Sequence, residues 1–213
     1  MANPQGAWRC ARESRVSPHV TRGPGHLVSD PVATVLLAVA SHEPADDREA
    51  QSREWILREL ERLEDPFDED ADPVHVTGSG VVTGARGTIL HLHKRLGRWM
   101  QTGGHLEPGE LPHEAALRES EEETGLSLAH PQTGPRLLHI DVHDAARGHT
   151  HLDLRYLLIG PDVEPSPPAG ESPHARWFTW SEALDRADEA LVGALRAALR
   201  QPEAASSAAP EKR

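Results

Sequence analysis

Glu119, Glu122 and Glu123 sit three and four residues apart in a stretch, about Leu111 to Thr124, that contains nothing to break a helix. Gly125 stands where a left-handed cap would end it. At about 100° per residue the three carboxylates fall on one face, while Glu121 points elsewhere. Carboxylates gathered on one face repel each other unless cations lie among them. Hard, oxygen-preferring cations such as Mg²⁺ or Mn²⁺ suit that donor set, and they commonly act on phosphates. The competing reading is a solvated acidic face of a glutamate-rich helix. Upstream, Gly103-Gly104 and Pro108-Gly109 read as breakers, so this part is expected to be a loop.

The fixed spacing favours the first reading. Gly104, five residues, Glu110, seven residues, Arg118-Glu119, two residues, Glu122-Glu123, one residue, then Gly125-Leu126 resembles the Nudix box. Ser120 departs from it, because the family normally has an apolar residue there, and this puts the seating of the helix in question. The resemblance implies metal-dependent hydrolysis of a nucleoside diphosphate linked to another moiety, with Mg²⁺ or Mn²⁺ as cofactor. It implies Glu122 and Glu123 as principal metal ligands, Glu119 as ligand or general base, and the Gly103 carbonyl as a further ligand. Arg118 would orient Glu110 or another box carboxylate.

Glu171, six residues before Trp177, is placed like the later-loop glutamate of mutator-type members that clean nucleoside triphosphates; the alternative is an ordinary loop glutamate. Lys94, Arg95 and Arg98, just before the box, are candidates to face substrate phosphates. The proline that ADP-ribose-cleaving relatives carry after the box is not matched, since Ile140 and Asp141 occupy that region. Coenzyme A and NADH signatures are also unmatched, which leaves small nucleotides or an oxidised nucleoside triphosphate among the candidates. A Nudix-fold nucleotide sensor without turnover is the alternative, although it would usually have an eroded box. An isoprenoid diphosphate isomerase would need a core cysteine, and the sole cysteine is Cys10.

These residues need elements to position them. Residues 1–28, without periodicity, read as a disordered tail. Residues 29–73 read as a helical extension and linker, with Asp30 and Pro31 starting one helix. A second runs from Arg48 to Leu63 with Trp55, Ile56, Leu60 and Leu63 on its apolar stripe. Val74–Thr83 and Thr88–Lys94 form a hairpin, with His91 and His93 on one face of the second strand. Arg136–His143 and Thr150–Ile159 are two more strands. His151, Asp153 and Arg155 alternate onto one face there, as substrate-binding candidates in a region that also holds His139, His143 and His149. That histidine density suits a second metal site, a phosphate cradle or an exposed edge hairpin. A short strand at Arg176–Thr179 precedes a helix capped by Ser181 and another over Glu189–Leu199. The expected fold class is α/β, a Nudix-type α/β/α sandwich with a mixed sheet over 74–200, followed by a polar tail at 201–213.

Composition narrows the class further. A chain of 213 residues accommodates one domain with a sizeable core plus an extension. The net charge of −12 disfavours nonspecific binding to a nucleic-acid polymer. One cysteine precludes an intrachain disulfide. No apolar run approaches the ~18 residues of a membrane helix. Val32–Ala40 behind several arginines imitates a signal peptide, but the basic region is long and contains Glu13 and Asp30, so a buried helix is expected instead. The expected location is cytoplasmic and the expected partner a small nucleotide-diphosphate, with no membrane, and with a homodimer allowed.

Overall fold

The computed structural model describes residues 30–202. The tail at 1–28, Cys10 and most of the 201–213 tail lie outside them. Two helices come first, α1 (Pro31–Ser41) and α2 (Asp47–Arg62). The Asp30 carboxylate accepts the Val32 N–H and Asp46 accepts that of Glu49, so each helix starts on a side-chain cap. Next come β1 (Val74–Gly84), β2 (Gly87–Leu92), β3 (Trp99–Met100), β4 (Thr102–His105), α3 (Pro112–Thr124), β5 (Leu137–Asp144), β6 (Thr150–Ile159), β7 (Ala175–Phe178), α4 (Trp180–Arg186) and α5 (Glu189–Leu199). The sheet runs β3-β2-β1-β6-β5, with β4 paired to β1 and β7 to β2. Only β1 and β6 are parallel among these pairs, in a register that sets His75 beside His151 and Thr77 beside Asp153.

Strand alternation divides the core between two layers. Val76, Leu152, Leu154 and Ile140 face α1, α2 and α3, packing on Val35, Val39, Ile56, Leu60 and Ala116. Val81 and Leu157 point the other way, onto Phe178, Ala183, Leu191 and Leu195 of the C-terminal segment. The result is the α/β/α sandwich. Burying the five α1–α2 aliphatics Val35, Val39, Ile56, Leu60 and Leu63 contributes on the order of 10 kcal/mol of gross apolar transfer. The extension also covers the free edge of β5. Glu49 accepts the Ile140 N–H at 2.9 Å and Ser52 that of Val142 at 3.2 Å, so two backbone donors of an edge strand are satisfied by side chains of α2.

Several expectations change. The glycine stretch before the helix is not all loop, because β4 pairs with β1 from Thr77↔His105 to Gly80↔Thr102. Glycines weaken a strand on its own, but backbone pairing to a long neighbour supplies the hydrogen bonds without side chains. His93 lies beyond the end of β2. Trp55 leaves the apolar stripe for the surface, where its indole N–H meets Glu59. Thr179, not Ser181, caps α4, in a reciprocal box with Glu182.

Candidate functional site

The site begins with how closely α3 approaches the sheet. A Cβ on Gly78 would lie 2.2 Å from the Pro112 carbonyl oxygen, and one on Gly80 the same distance from Ser120 Oγ. Only glycine lets the helix sit this low on β1. Ser120 fits there without strain on its polarity, since it is fully buried and bonds both the Ala116 carbonyl and Thr102 Oγ1 at 2.6 Å. Gly125, with φ +67°, ends the helix in the left-handed cap conformation.

From this seat two box carboxylates, Glu119 and Glu123, reach Gly104 and Gly103. Glu123 accepts the Gly103 N–H at 3.0 Å. Glu119 lies against Gly104, where a Cβ would come within 2.5 Å of its carboxylate carbon. Arg118 ties the group together. Its guanidinium grips both oxygens of Glu110 at 3.0 and 2.9 Å, Glu119 at 2.8 Å, the His105 carbonyl at 2.9 Å, and Glu122 more loosely at 3.4 Å. Glu121 leaves the cluster to accept the Leu128 N–H.

The electrostatics are those of a crowded acidic site. Burial pushes the Glu123 carboxyl up to about 8, against the Gly103 N–H, with the charges of Glu119 and Glu171 adding to the rise. Burial also raises Glu119, opposed by Arg118. His91 comes within 3.2 Å of Glu123, yet its buried Nδ1 makes no hydrogen bond. Burial lowers His91 to about 4, so the two face each other as neutral groups at pH 7 rather than as an ion pair. Glu171, whose charge Glu123 senses, stands 4.0 Å from Lys94 Nζ; Lys94 also donates to the Gly170 carbonyl.

Gly103 and Gly104 also border a cleft of about 550 Å³, whose lining includes none of the box glutamates. Of the candidate substrate residues, Arg95, His151 and Asp153 line it. Arg98 turns away toward Asp188 at 3.8 Å. Arg155 does not reach the cleft. It is buried, and its guanidinium is spent on Asp153, Asp141 and the Ala190 carbonyl. Asp153 is likewise saturated, accepting from Thr77, Ser79 and Arg155. Burial favours the neutral form of Asp141, but the His143 hydrogen bond and the Arg155 and Arg48 cations outweigh it and hold the carboxyl at about 2. Arg155 is therefore part of a buried framework behind the cleft wall, and Asp153, which meets the cleft, is held by that framework rather than free for a ligand.

Two histidines that sequence reasoning passed over, His75 and His105, join His151 at the cleft's edge. The β1–β6 register and the β1–β4 pairing bring them together. His139 stands apart, buried against Gly193. Among the described residues, no helix is long and apolar enough to cross a membrane.

The NUDIX domain family matches residues 73–198, which includes every strand of the sheet. A NUDIX-family hydrolase from Clostridium perfringens is 32% identical over 58% of this chain and 95% of its own, with a TM-score of 0.50. A MutT NUDIX hydrolase from Burkholderia pseudomallei is 26% identical, over 57% of this chain and 95% of its own, at a TM-score of 0.48. An Ap4A hydrolase from C. elegans is 21% identical, over 57% and 93%, at a TM-score of 0.48. With the family matching well over half of the chain and the box folded as a helix that carries Arg118, Glu119, Glu122 and Glu123, the chain belongs to the Nudix family, as a Nudix-type pyrophosphohydrolase.

Proposed function

We propose that this enzyme hydrolyses the diphosphate linkage of a nucleoside diphosphate joined to another moiety, using Mg²⁺ or Mn²⁺ held by Glu119, Glu122, Glu123 and the Gly103 carbonyl. One observation carries the reading: Arg118 fastens Glu110 and Glu119 at once while Glu123 is tied to Gly103, so that Glu119 and Glu123 meet beside Gly103-Gly104, with Glu122 one helical turn from Arg118. The donors are hard oxygens, which fit Mg²⁺ or Mn²⁺. Burial leaves Glu123 neutral at pH 7 by itself, so a nearby cation would be needed to hold it as a carboxylate. When bound, such ions neutralise phosphate charge and lower the pKa of an attacking water.

The protein's own groups have separable tasks. Glu119, raised by burial, is placed to take a proton from water or to serve as a ligand. Arg118 positions Glu119 and keeps the Glu110 turn against the helix. Arg95 offers a cation at the cleft for phosphate, and Glu171 adds a carboxylate on the Lys94 side. The test is a panel of nucleoside-diphosphate-linked compounds with Mg²⁺ or Mn²⁺, products identified by mass. Glu119→Gln should lower kcat at least ~100-fold. Undiminished turnover in that variant, or full activity in excess chelator, overturns the proposal.

A further inference from the structure

The imidazoles of His75, His105 and His151 form an equilateral triangle, each pair of ring centroids 5.1 Å apart. Their ligating atoms all lie within 4.8 Å of one another. His105 Nε2 and His151 Nε2 are 3.3 Å apart. On a tetrahedral ion with metal–nitrogen bonds of about 2.0–2.1 Å, two nitrogens stand about 3.3–3.4 Å apart, and the centres of their rings about 5 Å apart. The three ring centres and the His105–His151 nitrogen pair already have that spacing.

The outer contacts are of the kind that fix metal-ligating histidines. His75 Nδ1 lies 3.1 Å from the Asp72 carbonyl, so it carries the proton and leaves the lone pair on Nε2. That Nε2 is fully buried and has no hydrogen-bond partner. A buried polar atom without a partner is uncommon in native proteins and calls for an explanation such as an ion. His105 Nδ1 stands 3.1 Å from Glu69 Oε2, which makes a carboxylate–histidine pair behind the second ligand. His105 and His151 both line the cleft, so a fourth position would open onto it.

We propose that His75, His105 and His151 bind a transition-metal ion of the zinc class, at a site separate from the box glutamates. Neutral imidazoles select Zn²⁺ and its neighbours over Mg²⁺, so the two sites differ in the metal they take. A three-histidine set with one open position leaves room for a phosphate oxygen or water from the cleft. A second grouping, Glu69, His75 and His149, shares His75 and would compete for the same ion. The first is favoured because Glu69 already serves His105 and because the Nε2–Nε2 spacing matches.

The experiment uses the full chain, stripped with chelator and titrated with Zn²⁺ in a large excess of Mg²⁺. One equivalent of Zn²⁺ should bind, and Co²⁺ in its place should show the visible absorption of a tetrahedral site. His105→Gln and His151→Gln, both at half-exposed positions, should each weaken Zn²⁺ binding at least ~100-fold, more than the ~10–100-fold expected for Glu69→Gln. The combined Glu119→Gln, Glu122→Gln and Glu123→Gln variant should keep its Zn²⁺, as should His149→Gln. Absence of stoichiometric Zn²⁺ in excess Mg²⁺ overturns the proposal. So does binding indifferent to His105→Gln and His151→Gln, loss of Zn²⁺ in the triple glutamine variant, or its loss in His149→Gln. Because Zn²⁺ binding is read directly, these outcomes stand apart from whether the enzyme hydrolyses any one nucleotide.

Discussion

Replacing Glu123 by glutamine should make the metal-free enzyme sturdier while disabling the metal-loaded one. The folded chain keeps a proton on this carboxyl up to about pH 8, whereas an unperturbed glutamate gives it up near 4.5. Between those values the folded state binds more protons than the unfolded state, so raising the pH favours unfolding. For this one group the loss is below about 1 kcal/mol at pH 5 and about 3 kcal/mol at pH 7, at 1.36 kcal/mol per pKa unit. Glutamine removes the titration but keeps an oxygen to accept the Gly103 N–H. His91, lowered by burial to about 4, responds to pH alike in both proteins and cancels in the difference.

Urea or thermal unfolding in EDTA, from pH 5 to 8, reads the effect. The two proteins should nearly coincide at pH 5. By pH 7 the variant should lead by about 3 kcal/mol, or about 6–12 °C in Tm for a domain of this size. Mg²⁺ should reverse the order, since it would stabilise only the parent, and turnover should fall at least ~100-fold. A gap equally large at pH 5 and pH 8, or no gap at all, would refute the idea that a buried carboxyl is held for a cation.

The remaining expectations follow from the same contacts. Arg118→Lys keeps the charge but loses the fork that grips both oxygens of Glu110, so kcat should drop at least ~10-fold with the Tm lowered by a few degrees; parental kinetics would show the clamp to be idle. Gly78→Ala drives a methyl into the Pro112 carbonyl and should cost about 1–3 kcal/mol in urea unfolding, with lower activity as α3 lifts from β1; an unchanged midpoint would contradict the close seat. Glu171→Gln should alter the metal dependence of kcat while metal-free stability stays within about 0.5 kcal/mol; parental kinetics across metal concentrations would reduce Glu171 to a loop residue.

The box was legible because its chemistry depends on positions along one helix, and a helix fixes those positions locally. The same holds for the left-handed cap at Gly125, whereas the Arg118–Glu110 contact was expected only from the family resemblance, with another box carboxylate as the alternative, because Glu110 lies before the helix begins. Long-range placement was harder to read. Gly78 and Gly80 inside a strand are a signal of close backbone approach, and α3 lies directly against both. His75 and His105 carried no such mark. They meet His151 only through a parallel β1–β6 register and a short strand that is half glycine, and neither follows from local pattern.

Depth below the surface was the other blind spot. Alternation along β6 correctly puts His151, Asp153 and Arg155 on one face, but alternation says nothing about what covers that face. Near Thr150 the strand is open and His151 borders the cleft. Four residues on, α5 lies over it, and Ala190 takes an N–H of Arg155. A charge in that position must be paired at both ends, and Asp153 and Asp141 do so, with Arg48 of the extension completing the set on Asp141. Breaking such a set by removing one member typically costs about 3–5 kcal/mol, because the partner charge is left buried and alone. The α1–α2 segment, all of it before residue 73 where the family match begins, thus reaches this buried set through Arg48, beside the Glu49 and Ser52 contacts to the Ile140 and Val142 backbone that flank Asp141.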